Sequence, residues 1–191
     1  MLAPDVWVPL AEVSRPHGVR GELRLRPFNQ DSDLLFELTD VFVRPSGDGA
    51  STNGRNRSAG KVMRVEGIRR ANEAILLKLA TVDDRDGADE LRGAHVCARR
   101  GEFPPLEEGE FYACDIEGAR VVVGEPGEGA APRELGHVIE LRSYPSVDVL
   151  VVAAADGGRP WEVPLVDEIV KLVDAEGGIV VLASLEGVER E

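Results

Sequence analysis

The stretch from Val6 to Phe28, VWVPLAEVSRPHGVRGELRLRPF, constrains the start of this chain more than any other feature. Two apolar runs flank a compact insert, Arg15-Pro16-His17-Gly18-Val19-Arg20-Gly21. Beyond it Leu23 and Leu25 alternate with Glu22, Arg24 and Arg26, the period-2 pattern of a half-buried strand. Pro16 fixes one φ, and Gly18 and Gly21 permit φ > 0, so the insert reads as the tight connection of a β-hairpin. With the leucines turned to a core, Arg24 and Arg26 face water, and Arg15 and Arg20 add charge at the tip. The plain reading is a solvated strand face. The sharper one is a cationic edge aimed at a polyanion such as RNA.

The rest of the first half keeps to short strands. Asp31 to Phe36 reads as a capped helical turn with Ser32 or Asp31 as N-cap. Val41-Phe42-Val43, Lys61 to Ile68, Ala74 to Leu79 and His95 to Ala98 read as strands, with a turn from Gly67 to Asn72. Ser46 to Gly60 is a Gly/Ser/Asn-rich loop that lacks the spacing of a phosphate-cradling motif. Thr81 to Gly93, with acids at its start and a closing glycine, reads as a short helix. Six strands with one or two small helices predict a closed barrel. The second half repeats the habit. Strands are expected at Ala119 to Val123, Leu135 to Arg142, Val147 to Ala153, Trp161 to Val163 and Ile179 to Leu182. A Gly/Pro/Ala-rich loop is expected from Gly124 to Arg133. The fold class is therefore all-β, two small barrels.

Charge divides the halves. Residues 1–103 carry 16 Lys+Arg and 16 Asp+Glu, whereas residues 104–191 carry 6 and 19, which accounts for the whole net charge of −13. A boundary near Phe103-Pro104-Pro105 thus separates a neutral half from an acidic one. The acidic half is unsuited to phosphate and suited to a basic partner. No run of about 18 apolar residues is present, so no membrane contact is expected. The N-terminus has no leader-like pattern, and Cys97 and Cys114 follow no metal or redox spacing; together these predict a cytoplasmic protein with reduced thiols.

Catalytic patterns are missing from the sequence. His17, His95 and His137 stand singly, without HExxH or CxxC spacing, so no metal site is nominated. No GxSxG, GxGxxG or P-loop occurs, and abundant carboxylates are not a dyad. The expectation is a binding protein with no enzymatic activity and no cofactor.

Four stretches stand in a fixed order. They are Arg15 to Leu23; Gly67-Ile68 with Glu73-Ala74 and Gly87 to Gly93; Phe111-Tyr112-Ala113-Cys114-Asp115-Ile116-Glu117-Gly118; and Pro164-Leu165-Val166-Asp167-Glu168-Ile169-Val170. Together they resemble the RimM family of bacterial ribosome maturation factors, over about Val8 to Leu182. The resemblance implies an N-terminal six-stranded barrel (residues 1–100), a linker (101–110) and a PRC-type barrel (111–191). It implies a monomeric assembly factor for the head of the small (30S) subunit, one that binds ribosomal protein uS19 and the subunit precursor and promotes 16S rRNA processing. Phe111, Tyr112 and Asp115 are then the candidate uS19 contacts, with Phe111 standing where the family carries the first of two tyrosines. The alternative is an RNA-binding module, weakly touching 16S rRNA through Arg15, His17, Arg20, Arg24 and Arg26.

Overall fold

The Val6–Phe28 stretch forms two antiparallel strands, β1 (Trp7–His17) and β2 (Glu22–Pro27), in a computed structural model that describes residues 1–30, 32–45, 60–71, 74–107, 109–124 and 132–184. The hairpin is tighter than the sequence suggests. β1 continues through Arg15, Pro16 and His17, which pair with Arg24, Leu23 and Glu22, so the connection shrinks to Gly18–Gly21. Pro16 is tolerated there because β6 pairs only with Trp7–Glu12, so at residue 16 the strand is flanked on one side alone, and such an edge accommodates a missing donor. Gly18 and Gly21 both adopt positive φ, +63° and +73°. At Gly21 a side chain is barred outright, since a Cβ would lie 1.9 Å from the carbonyl oxygen of Val82.

Residues 3–105 form one compact unit; residues 106–191, with Met1 and Leu2, form another. In the unit of residues 3–105, β3 (Asp40–Arg44), β4 (Lys61–Ala71), β5 (Ala74–Leu79) and β6 (His95–Arg99) join the hairpin in a closed barrel ordered β1-β2-β5-β4-β3-β6. Inward-facing Val13, Leu23, Leu25, Val41, Leu77, Leu79 and Val96 are buried in its interior. Each such side chain contributes roughly 1.5–3 kcal/mol by leaving water. β4 does not turn at Gly67 as the sequence suggests. Gly67 lies at a register shift, and the strand runs on to Ala71. Asn72, at the end of that expected turn, lies outside the described residues. The helix expected over 81–93 is shorter, α2 (Arg85–Glu90). Asp84 is its N-cap, accepting from the Gly87 N–H at 2.8 Å, and Gly93 leaves it at φ +77°. The turn near residue 33 is α1 (Leu34–Glu37), whose N-cap is Asp33 and not Ser32, although Ser32 Oγ accepts from the Leu34 N–H. Asp31, the other expected cap, lies outside the described residues, as do 46–59 of the expected loop.

In the other unit α3 (Ala113–Ile116) precedes β7 (Arg120–Val123), β8 (Arg133–Ser143), β9 (Asp148–Ala154), β10 (Trp161–Pro164), β11 (Val170–Asp174) and β12 (Ile179–Leu182). They pair as a six-stranded sheet ordered β10-β9-β8-β7-β12-β11, antiparallel except for the β7–β12 pair. β8 carries apolar residues on both faces, and a register shift between Val138 and Glu140 explains this: Val138 and Leu141, three apart, both reach the core. Ile116, Val121, Leu150, Trp161, Val163, Val180 and Leu182 complete that core. Residues 125–131 of the expected loop lie outside the described set.

Candidate functional site

Alternation along β2 buries Leu23 and Leu25 and turns Arg24 and Arg26 outward. Arg15, His17 and Arg20 are exposed on β1 and the turn beyond it. Register brings Arg15 directly opposite Arg24, a like-charge pair that antiparallel sheets disfavour. Arg26 is partly neutralised by Glu12, 2.6 Å away.

Two neighbours absent from the sequence-based expectation complete this surface. Arg69 binds the Glu22 carboxylate through two guanidinium nitrogens. Arg70 pairs with Asp33 at 2.7 Å and lies over the Phe36 ring. Both were hidden because the sequence places them in a turn, whereas β4 carries them to positions opposite Leu76 and Ile75 on β5. Within the barrel wall, burial pushes the Cys97 thiol up to about 11, against the opposing pull of Arg44. That thiol is inert at neutral pH. Burial, then Arg44, lowers the pKa of His95, with Glu12 pulling the other way.

In the unit that holds residues 106–191, α3 gathers the three candidate partner contacts. Phe111 is partly buried against that unit's core. Tyr112 is the extended residue before the helix, and its carbonyl accepts from the Asp115 N–H at 2.9 Å. Asp115 is only 5% exposed, and its Oδ1 accepts from the Leu2 N–H at 3.0 Å. Its carboxylate therefore ties Leu2 to α3 and lacks the exposure expected of a partner contact, while Phe111 and Tyr112 are both partly buried.

A second acidic group lies on the same unit, and no sequence signal marked it. Glu117 is pushed up to about 7, first by burial and then by the charge of Glu140. Arg142 donates to Glu140 and, at 2.7 Å, to Glu162, whose Oε1 also accepts from the Tyr144 hydroxyl at 3.2 Å. One guanidinium thus serves two carboxylates, and among the described residues no cation pairs with Glu117.

Among the described residues no group of His, Cys, Asp or Glu is placed to hold a metal ion, and no helix is long and apolar enough to cross a membrane. Neither surface pairs a nucleophile with a base.

Residues 8–103 match the family described as the RimM N-terminal domain, and residues 113–188 match the RimM PRC barrel domain. A protein of Sorangium cellulosum called ribosome maturation factor RimM is 46% identical over 181 residues, covering 95% of this chain and 96% of that protein. Its counterpart in Thiobacillus denitrificans is 34% identical over 92% of this chain and 82% of its own length. The one in Geobacter metallireducens is 31% identical over 98% of each.

Proposed function

Because the chain belongs to the RimM family of ribosome maturation factors, we propose that it assists assembly of the head of the small ribosomal subunit by binding ribosomal protein uS19, and thereby promotes 16S rRNA processing. The observation that carries this reading is the charge division. All of the −13 net charge resides in residues 104–191. A surface of that sign favours a basic protein partner over RNA. In this reading the protein works as a cytoplasmic monomer on the 30S precursor. Residues 1–100 and 111–191 serve as two domains joined through 101–110. Phe111 and Tyr112 make the aromatic contact, whereas Asp115, buried and bonded to the Leu2 N–H, is withdrawn from the contact set. Aromatic side chains of this kind concentrate interface energy because they bury much area with few rotatable bonds.

The test is kinetic. Binding of purified uS19 to the full chain is followed from low salt to about 0.5 M, where the Debye length falls below about 5 Å. Association should slow far more than dissociation quickens, because screening removes long-range attraction first. An on-rate indifferent to salt would refute the electrostatic account. No binding at all in low salt would refute the partner.

A further inference from the structure

Met1 and Leu2 belong to the unit of residues 106–191, where the uS19 reading gives them no task. The Leu2 N–H donates to the Asp115 carboxylate at 3.0 Å, and the Met1 nitrogen donates to the carbonyl of Ala175, the residue after β11. Both residues lie outside the ranges that match the family, 8–103 and 113–188. We propose that they form a clasp that sets the Phe111-Tyr112 pair for its partner, with Leu2 and Asp115 as positioning residues. This deepens the uS19 reading and rests on it.

The weakness of α3 carries the first part of the argument. The helix spans only Ala113–Ile116, and Tyr112 at its N-cap makes no side-chain cap bond. A single turn fixes several dihedrals for very few hydrogen bonds, so it needs support from outside itself. Ile116, fully buried in the core, gives one anchor. Asp115, 5% exposed, gives the other. A carboxylate so deep is costly unless donors reach it, and the Leu2 N–H is one of them.

Connectivity carries the second part. The Asp115 N–H closes the turn on the Tyr112 carbonyl at 2.9 Å, so whatever fixes Asp115 also fixes the backbone of Tyr112. The donor on Leu2 is a main-chain group with no rotamers to lose, and it orders the turn at less entropic cost than a long side chain would. Because Phe111 and Tyr112 are both half-buried, rotation of this turn changes how much ring each presents. The Met1 bond to Ala175 holds the clasp at its other end.

The experiment uses the full chain with purified uS19, and it reads affinity together with amide exchange by NMR. Leu2→Pro removes the N–H, and Leu2→Ala retains it. Loss of a hydrogen bond to a charged group shifts an equilibrium about tenfold or more. Leu2→Pro should therefore weaken uS19 binding about tenfold and lower protection of the Asp115 amide by a similar factor, while the core amides of Val121 and Leu150 keep theirs. Leu2→Ala, with the donor in place, should restore both readouts to near the parent. In a chain that already carries Phe111→Ala and Tyr112→Ala, Leu2→Pro should cost no further affinity, because the clasp acts through those rings. An undiminished loss in that background would overturn the proposal. So would protection lost equally across the unit, which marks general support, or equal effects of Leu2→Pro and Leu2→Ala, which mark the side chain. Tighter uS19 binding by Leu2→Pro would overturn it in favour of a latch that covers the site. If the parent itself fails to bind uS19, the partner reading falls and exchange alone decides the clasp: unchanged protection at Asp115 in Leu2→Pro overturns it, and a loss confined to the α3 turn upholds it.

Discussion

Replacing Gly21 by alanine should destabilise the barrel by about 3 kcal/mol, whereas the same change at Gly18 should cost about 1 kcal/mol. Both glycines have positive φ, so both pay the strain of placing a Cβ in the left-handed region, about 1–2 kcal/mol. They differ in what the new methyl meets. At Gly18 nothing lies within 4 Å. At Gly21 the methyl would sit 1.9 Å from the Val82 oxygen and 2.6 Å from the Val82 carbon, both backbone atoms that cannot swing aside. The hairpin and the Val82–Asp83 segment must separate. That weakens the bonds from Lys78 Nζ to the Val82 carbonyl and to Asp83, and it loosens Val82, which is buried. Overpacking of this kind costs about 1–3 kcal/mol on top of the strain. For a unit of this size 1 kcal/mol moves the melting midpoint by about 4–8 °C. Gly21→Ala should therefore melt more than about 10 °C below the parent. Amide exchange of the strands in residues 3–105, followed through urea unfolding, isolates this unit from the other. Equal loss at Gly18 and Gly21 would show that conformation alone, and not the close approach to Val82, governs the hairpin.

Replacing Phe111 and Tyr112 together by alanine should weaken uS19 binding by at least about 2 kcal/mol, roughly thirtyfold, with circular dichroism and melting near those of the parent; collapse of residues 106–191 instead would mark the pair as purely structural. Glu117→Gln should stabilise its unit above pH 7 and leave it unchanged near pH 4. The folded protein holds the Glu117 proton more tightly than the unfolded chain does, so stability is full below the ordinary carboxylate range and falls as pH rises through about 7. Because the side chain is only partly buried, solvent screening reduces the gain at pH 8 to about 1 kcal/mol, measurable as the difference between urea midpoints at the two pH values. A thiol reagent at pH 7.5 should label Cys114 before Cys97, which is buried with its pKa raised; mass spectrometry of the modified peptides checks the order, and equal rates would contradict the closed barrel wall.

Much of this architecture is legible in the sequence because period-2 alternation is a local signal. Leu23 and Leu25 declare the inner face of β2, and the glycines flanking Val19 and Arg20 declare its turn. What stayed hidden depends on pairing between distant strands. Gly67 looks like a turn residue in sequence, but the ladder to β5 keeps the chain extended, pairing Gly67 with Lys78 just after a bulge at Glu66. That decision carries Arg69 to Glu22 on β2 and Arg70 to Asp33, pairings that could not be read from residue order. Phe111 and Tyr112 are conspicuous as adjacent aromatics. That Asp115 turns inward to the Leu2 N–H, a residue 113 positions away, has no local signature. Nor does the raised pKa of Glu117, which lies at the end of α3 and owes it to burial and to Glu140 on β8.

The strand pairings also dictate when each unit can form as the chain is made. β1 pairs with β6, so the barrel closes only once residues near 99 are available to meet residues near 7. In the other unit β7 finds one of its two neighbours in β12, at the far end of the sheet's sequence, in a parallel pair that no hairpin can template. Contacts between such distant segments require loop closure before they return any stability, so each unit should fold late and as a whole. A nascent chain that stops short of Ile179 leaves Val121 and Val122 on an open edge and β11 with no partner. An incomplete product of that kind exposes apolar strand to its surroundings, a substrate for aggregation or proteolysis.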